Sequence, residues 1–291
     1  MFRAVLHAAR PLALLIVALV VGACSVAGAA VPSGSASPSP LDPDKPVFVV
    51  DYEGGFVAPI TNVSRLPLIV VYGDGRVVVQ GPQIEIWPSP LMPSVQVRTL
   101  SPEALQRLID LARAKGLLTT AHYDFPGIAD APDTVLTIEL DGKTYRVSAY
   151  ALGEGAEFEA GFDLDQATRD GRAALRSFIE TLMGLPDADF VDDWRQFEPE
   201  TIRVYVTAHG GMADPELGEQ PVIAWPLEDL ATAGTQIGDK SLDLRCVEVS
   251  GDDLATVLPL LRQANVLTPF ESGGERYQLV VRPQLPHEAG C

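Results

Sequence analysis

Residues 134–150 read TVLTIELDGKTYRVSAY, two β-rich runs on either side of Asp141-Gly142. Asp-Gly between alternating apolar positions is a strong signal for a two-residue hairpin, because both turn residues must take positive φ. Upstream, residues 66–72 and 76–80 flank Gly73-Asp74-Gly75, a second hairpin, with Pro67 at the start of its strand, where a missing donor is tolerated. Residues 95–99 supply a further strand. A helix follows it: Ser101 suits the N-cap, Pro102 the first helical position and Glu103 the positive helix end. Leu105, Leu108, Ile109 and Ala112 recur at helical spacing, and Gly116 suits a left-handed stop. A second helix is predicted over 166–183, with Leu175, Phe178, Ile179, Leu182 and Met183 on one stripe and Gly184 and Pro186 ending it. Hairpins with amphipathic helices predict an α+β fold of antiparallel sheet packed with helices.

The C-terminal part follows the same plan. Residues 201–207 alternate as a strand, and after 221–225 a short helix is expected near 227–233. From residue 242 the chain repeats itself. Ser101, Leu105, Leu108, Ile109 and Ala112 match Ser250, Leu254, Val257, Leu258 and Leu261 at one offset, as do Gly116 and Asn265, both tolerant of positive φ. Pro259 falls inside the second helix, where a kink is expected. Residues 277–282 stand where 145–150 stood. The organisation expected is a first α+β domain over 47–185 and a second over 190–291 that partly repeats it, two related small units.

The start of the chain carries an address. Arg3 and Arg10 precede an apolar run over 12–21, then Gly22-Ala23-Cys24. A basic start, a short apolar core and small residues before a cut site describe a signal peptide, here 1–23, and the run is too short to span a bilayer. Residues 21–24 (VGAC) resemble the lipobox of bacterial lipoproteins. The resemblance implies that the Cys24 thiol takes a diacylglyceryl group and becomes the new N-terminus, a multi-chain anchor that holds stably. Residues 24–46 form a flexible Ser/Pro/Gly/Ala linker that cannot offset its ordering entropy. The 291-residue chain has a formal charge of −18; losing the leader removes Arg3 and Arg10 and no acid, which takes it to −20. Such a surface is unsuited to nucleic acid, whose phosphates need basic contacts. It keeps the domain soluble and clear of anionic headgroups.

Chemistry-bearing residues are few. Beyond Cys24 there are Cys246 and Cys291, read as one disulfide in an exported chain. It closes a loop worth about 4 kcal/mol in the loop-entropy model and pins the tail; free thiols or a redox pair are the alternatives. Residues 121–133 (AHYDFPGIADAPD), absent from the second copy, gather His122, Asp124, Asp130 and Asp133. A histidine with carboxylates suits a divalent cation or acid–base work, yet the spacing fits no zinc or calcium pattern, and Asp in a loop is also an ordinary turn former. Glu154, Glu157, Glu159, Asp163 and Asp165 read as a solvated acidic loop, and Asp187, Asp189, Asp192 and Asp193 as a connection. His209-Gly-Gly211 reads as a glycine-rich turn. Trp87, Trp194 and Trp225 offer groove or core aromatics. No G-x-S-x-G, S-x-x-K or H-E-x-x-H occurs, and no cofactor is implied.

Tyr72-Gly-Asp-Gly75, Tyr123-Asp124, Asp130 to Thr134, Asp141-Gly-Lys143 and Tyr150 together resemble an uncharacterised domain family of bacterial lipoproteins. The whole chain is similar to hypothetical lipoproteins of high-GC Gram-positive bacteria. That resemblance carries no catalytic residue. It implies the fold and the address, a cell-membrane, lipid-anchored, extracytoplasmic protein. The anchor, the duplicated unit and the lack of a catalytic set then lead to the expectation of a non-catalytic binding or scaffold module, with an envelope protein as partner and the membrane reached through the anchor. The alternatives are an extracytoplasmic hydrolase or metal-dependent enzyme using the 121–133 loop, and a small-ligand carrier with its site between the two domains.

Overall fold

A computed structural model describes residues 41–210, 216–239 and 242–291. The leader, Cys24 and most of the linker lie outside the described residues, as does Gly211. In chain order the elements are β1 (Pro46–Gly54), α1 (Pro59–Ser64), β2 (Ile69–Tyr72), β3 (Arg76–Gln80), β4 (Val95–Thr99), α2 (Pro102–Ala114), β5 (Ala121–Tyr123), β6 (Pro132–Leu140) and β7 (Lys143–Tyr150). Then come a 3₁₀ turn (Leu152–Glu154), α3 (Gly155–Glu159), α4 (Gln166–Met183), a second 3₁₀ turn (Asp187–Asp189), β8 (Arg195–Gln196) and β9 (Thr201–Ala208). The chain finishes with β10 (Ile223–Ala224), β11 (Thr235–Gln236), β12 (Arg245–Ser250), α5 (Gly251–Gln263), β13 (Phe270–Ser272) and β14 (Glu275–Pro283). The fold is α+β, with two sheets.

The first sheet has eight strands in the order β5-β7-β6-β1-β2-β3-β4-β8, antiparallel except for β5 beside β7. The hairpin at Asp141-Gly142 forms with both residues at positive φ, 52° and 71°. Alternation then aims Phe48, Val50, Leu136, Ile138, Val147 and Ala149 at the apolar stripes of α2 and α4. Ser101 caps α2 through its side chain, which accepts from the Ala104 N–H at 3.2 Å, and Gly116 takes φ 72° beyond its end. On α4 the stripe includes Leu175, Phe178 and Leu182, whereas Met183 is 52% exposed: the chain turns away at Gly184 before the stripe's last position meets the sheet.

The second sheet has six strands in the order β10-β13-β14-β9-β12-β11. Its core joins Ile202, Val204, Val249, Leu279 and Val281 to Leu254, Val257 and Leu261 of α5, which continues through Pro259. The segment at 227–233 is a turn rather than the expected helix. Asp229 organises it, its carbonyl accepting from the Ala233 N–H at 2.8 Å and its carboxylate from Ser272 at 3.1 Å. Asn265 does not adopt positive φ either; its side chain instead accepts from the Leu267 N–H at 2.8 Å.

Strand directions revise the internal correspondence. In each half a strand, a helix and a returning strand run so that both strands point the same way: β4-α2-β6 and β12-α5-β14. The offset that carries Ser101 onto Ser250 also carries β5 onto β13. The counterpart of β14 is therefore β6, also nine residues long, and not the 145–150 strand expected from sequence. The loop 124–131 and β7 are additions of the first half. Where it has the loop, the second closes on Gly273-Gly274, both at positive φ.

The halves exchange segments. Leu91 joins the second core, its N–H donating to the Ala264 carbonyl at 3.0 Å. In return Leu285 seals the outer face of the first sheet over Leu66, Val70, Tyr72, Val78, Val95 and Val97. The Tyr205 hydroxyl donates to the Val63 carbonyl of α1 at 2.6 Å.

Candidate functional site

The segment 121–133 lies at the β5 edge of the first sheet, and its charged residues divide. β5 pairs with β7 so that His122 stands opposite Ser148, and Asp133 lies diagonally on β6. His122 Nδ1 is 2.9 Å from Ser148 Oγ and 3.5 Å from Asp133 Oδ1, an oxygen that is buried and makes no hydrogen bond. Asp124 and Asp130 do not join them. The Asp124 carboxylate accepts from the Phe125 N–H at 2.8 Å, and Asp130, at φ 64°, offers its carbonyl to the Phe56 N–H. Among the described residues no three His, Cys, Asp or Glu side chains meet as metal ligands do.

A nucleophilic serine needs one imidazole nitrogen facing it while a carboxylate holds the other. Here the same Nδ1 faces both Ser148 and Asp133. The arrangement tethers the ring through one nitrogen and does not form such a relay.

What fixes this loop was missed from sequence. Arg172, on α4 one turn before Leu175, is fully buried. Its Nε donates to Glu159 at 2.8 Å, and its Nη1 to the carbonyls of Tyr150 at 2.8 Å and Tyr123 at 3.2 Å; the guanidinium lies 4.9 Å from the Phe125 ring centre. Glu159, expected among solvated carboxylates, is buried and also binds Arg176. A buried guanidinium persists only when its donors are engaged, so Arg172 ties β5, β7, α3 and α4 together. The available signal was a basic residue at a core position of the helical stripe. Three of the other acids have structural partners. Asp165 caps α4, and its hydrogen bonds to Thr168 hold its carboxyl below the usual range. Asp192 accepts from the Thr99 N–H and hydroxyl at 2.6 and 2.9 Å, and Asp187 pairs with Arg98 at 2.7 Å.

The aromatics do not share a groove. Trp225 is in the second core against Phe270, Trp194 packs on Phe190 beside Arg98, and Trp87 is 61% exposed. His209 Nδ1 lies 3.3 Å from the Gln278 side-chain carbonyl.

Cys246 and Cys291 are bonded, with Cα atoms 5.7 Å apart. The tail leading to Cys291 is held along its length. Glu288 accepts from Arg282 at 2.7 Å and from the Leu285 N–H at 2.8 Å. His287 Nδ1 meets the Tyr72 hydroxyl at 2.8 Å. Burial pushes the His287 pKa down and the Tyr72 pKa up. Asp51, on the outer face of β1, is also raised by burial, against the pull of Arg65 and Arg282.

Two clefts stand out among the described residues. One, about 410 Å³ and mainly polar, lies between the halves, where Asp44 and Arg76 face Glu198, Glu200, Gln284 and Leu285. The other, about 240 Å³, opens on the helix side of the first sheet beside Arg176. The chain matches no family model, no curated protein and no solved structure.

Proposed function

We propose that the chain is a lipid-anchored, extracytoplasmic binding or scaffold module of a bacterial cell envelope. The observation that carries the location is the bond between Cys246 and the last residue, Cys291, a linkage that persists in oxidising compartments and is rare in reducing ones. It agrees with the lipobox-like VGAC at 21–24. Standing off the membrane on a Ser/Pro/Gly spacer, a strongly acidic body presents its clefts to envelope proteins or solutes.

The test is detergent-phase partitioning of the full chain in its bacterial host, with labelled acyl donor. Wild type should carry label and enter the detergent phase, whereas Cys24→Ala should lose both. An unlabelled wild type with free Cys246 and Cys291 thiols would overturn the proposal. A second reading, a small-ligand carrier, draws support from the 410 Å³ cleft between the halves, which takes residues from both and is not lined by Trp194 or Trp225.

A further inference from the structure

The smaller cleft is built differently from the polar one. It is lined by Tyr52 and Leu68, by Thr134 of β6, by Leu152, Gly153 and Gly155, and by Arg176, Ile179 and Glu180 of α4. Three features converge there. Arg172 and Arg176 share the single carboxylate of Glu159, so this little-exposed cluster keeps one uncompensated positive charge. Glu180, the other carboxylate on the rim, is exposed and makes no ion pair among the described residues. Arg176 Nε is buried with no hydrogen-bond partner. Thr134 is 5% exposed, and neither its hydroxyl nor that of Tyr52 has a partner among the described residues.

Two partnerless hydroxyls beside a little-exposed positive charge favour an anionic head group. Leu68, Leu152 and Ile179 supply an apolar side for a chain attached to it. About eight waters would fill 240 Å³ at ~30 Å³ each, which limits the chain to a short one.

We propose that this groove binds a short aliphatic carboxylate, its head on Arg176, Thr134 and Tyr52 and its chain along Leu68, Leu152 and Ile179. The inference concerns the folded residues alone and stands whether or not Cys24 is acylated.

Carboxyl-labelled octanoate, titrated into the full chain carrying Cys24→Ser and followed by the carboxyl carbon resonance, tests it. Wild type should saturate at one equivalent, with octanol and acetate each at least ten-fold weaker. Arg176→Gln leaves Glu159 its contact with Arg172 and should weaken octanoate at least ten-fold. Gly153 lines the cleft, its φ is ordinary and a Cβ there would meet nothing within 4 Å. Gly153→Leu therefore displaces no neighbour and should narrow the groove, weakening octanoate at least ten-fold with an unchanged melting temperature. Equal affinity of wild type and both variants, or no saturation by octanoate, would overturn the proposal.

Discussion

The two halves build a strand, a helix and a same-direction strand from related patterns and then close them by different means. The first interrupts β5 and β6 with the loop 124–131, adds β7, and anchors the additions from inside through Arg172. The second joins β13 to β14 by two glycines, carries one helix against its sheet among the described residues, and anchors its end through Cys246–Cys291. Where a half has two helices to cover its sheet, an internal ion cluster suffices to position irregular chain. Where it has one, a covalent tie holds the tail.

Breaking the internal anchor should have the largest effect. Arg172→Met strands Glu159 with Arg176 alone and leaves the Tyr123 and Tyr150 carbonyls without their donor. A buried carbonyl stripped of its donor costs about 1–3 kcal/mol, and the loss at both is read as a lower urea midpoint. Amide exchange should rise first in 121–131 and stay slow in β9 and β14. Uniform loss of protection through both sheets would mean that Arg172 supports the whole fold rather than the additions.

Breaking the covalent anchor comes next. Cys291→Ser removes a constraint worth about 4 kcal/mol or less in the loop-entropy model. The tail from Gln284 onward should lose protection, and the outer face of the first sheet with it, since Leu285 is the tail's apolar contact there. An unchanged exchange pattern would show that Glu288 and its arginines hold the tail unaided.

The same contrast explains what was legible in the sequence. Local chemistry was: the Asp-Gly turn, the Ser101 cap, the stripes of α2 and α4 and the paired cysteines each depend on residues near one another or on composition. Non-local choices were not. Assigning β14 to β6 rather than β7 depends on which strand neighbours the centre of a sheet, and two consecutive β runs look alike from inside the chain. Arg172 and Glu159 became a buried pair because α3 folds back onto α4, whereas each alone reads as a surface charge. The candidate loop was half legible: His122 and Asp133 meet because β5 and β6 both neighbour β7, while Asp124 and Asp130 serve the turn between.

Acid should loosen the tail. Burial, helped by Arg282 and Arg203 and opposed by Glu288 and Glu139, holds His287 below its ordinary value of 6.5. The folded state therefore keeps the ring neutral against the Tyr72 hydroxyl, while the unfolded chain takes up the proton. Its contribution is complete above about pH 6.5 and is lost as pH falls below it. The melting temperature should drop more steeply from pH 7 to 5.5 in wild type than in His287→Gln; equal slopes would remove His287 as the cause.

The smallest effect isolates the repeated helices. Ser101 and Ser250 occupy the same N-cap position, but only Ser101 uses its side chain, accepting from the Ala104 N–H, whereas the Ser250 side chain makes no capping bond. Removing a working cap costs about 1 kcal/mol. Ser101→Ala should therefore lose about that much, and Ser250→Ala should stay within about 0.5 kcal/mol, as surface substitutions do. Asp252 and Asp253 in the first turn of α5 complement its positive end in place of a cap, so added salt should narrow the gap by weakening α5 more than α2. Equal losses at both serines would mean that Ser250 caps its helix after all, and that the two ends differ less than their hydrogen bonds indicate.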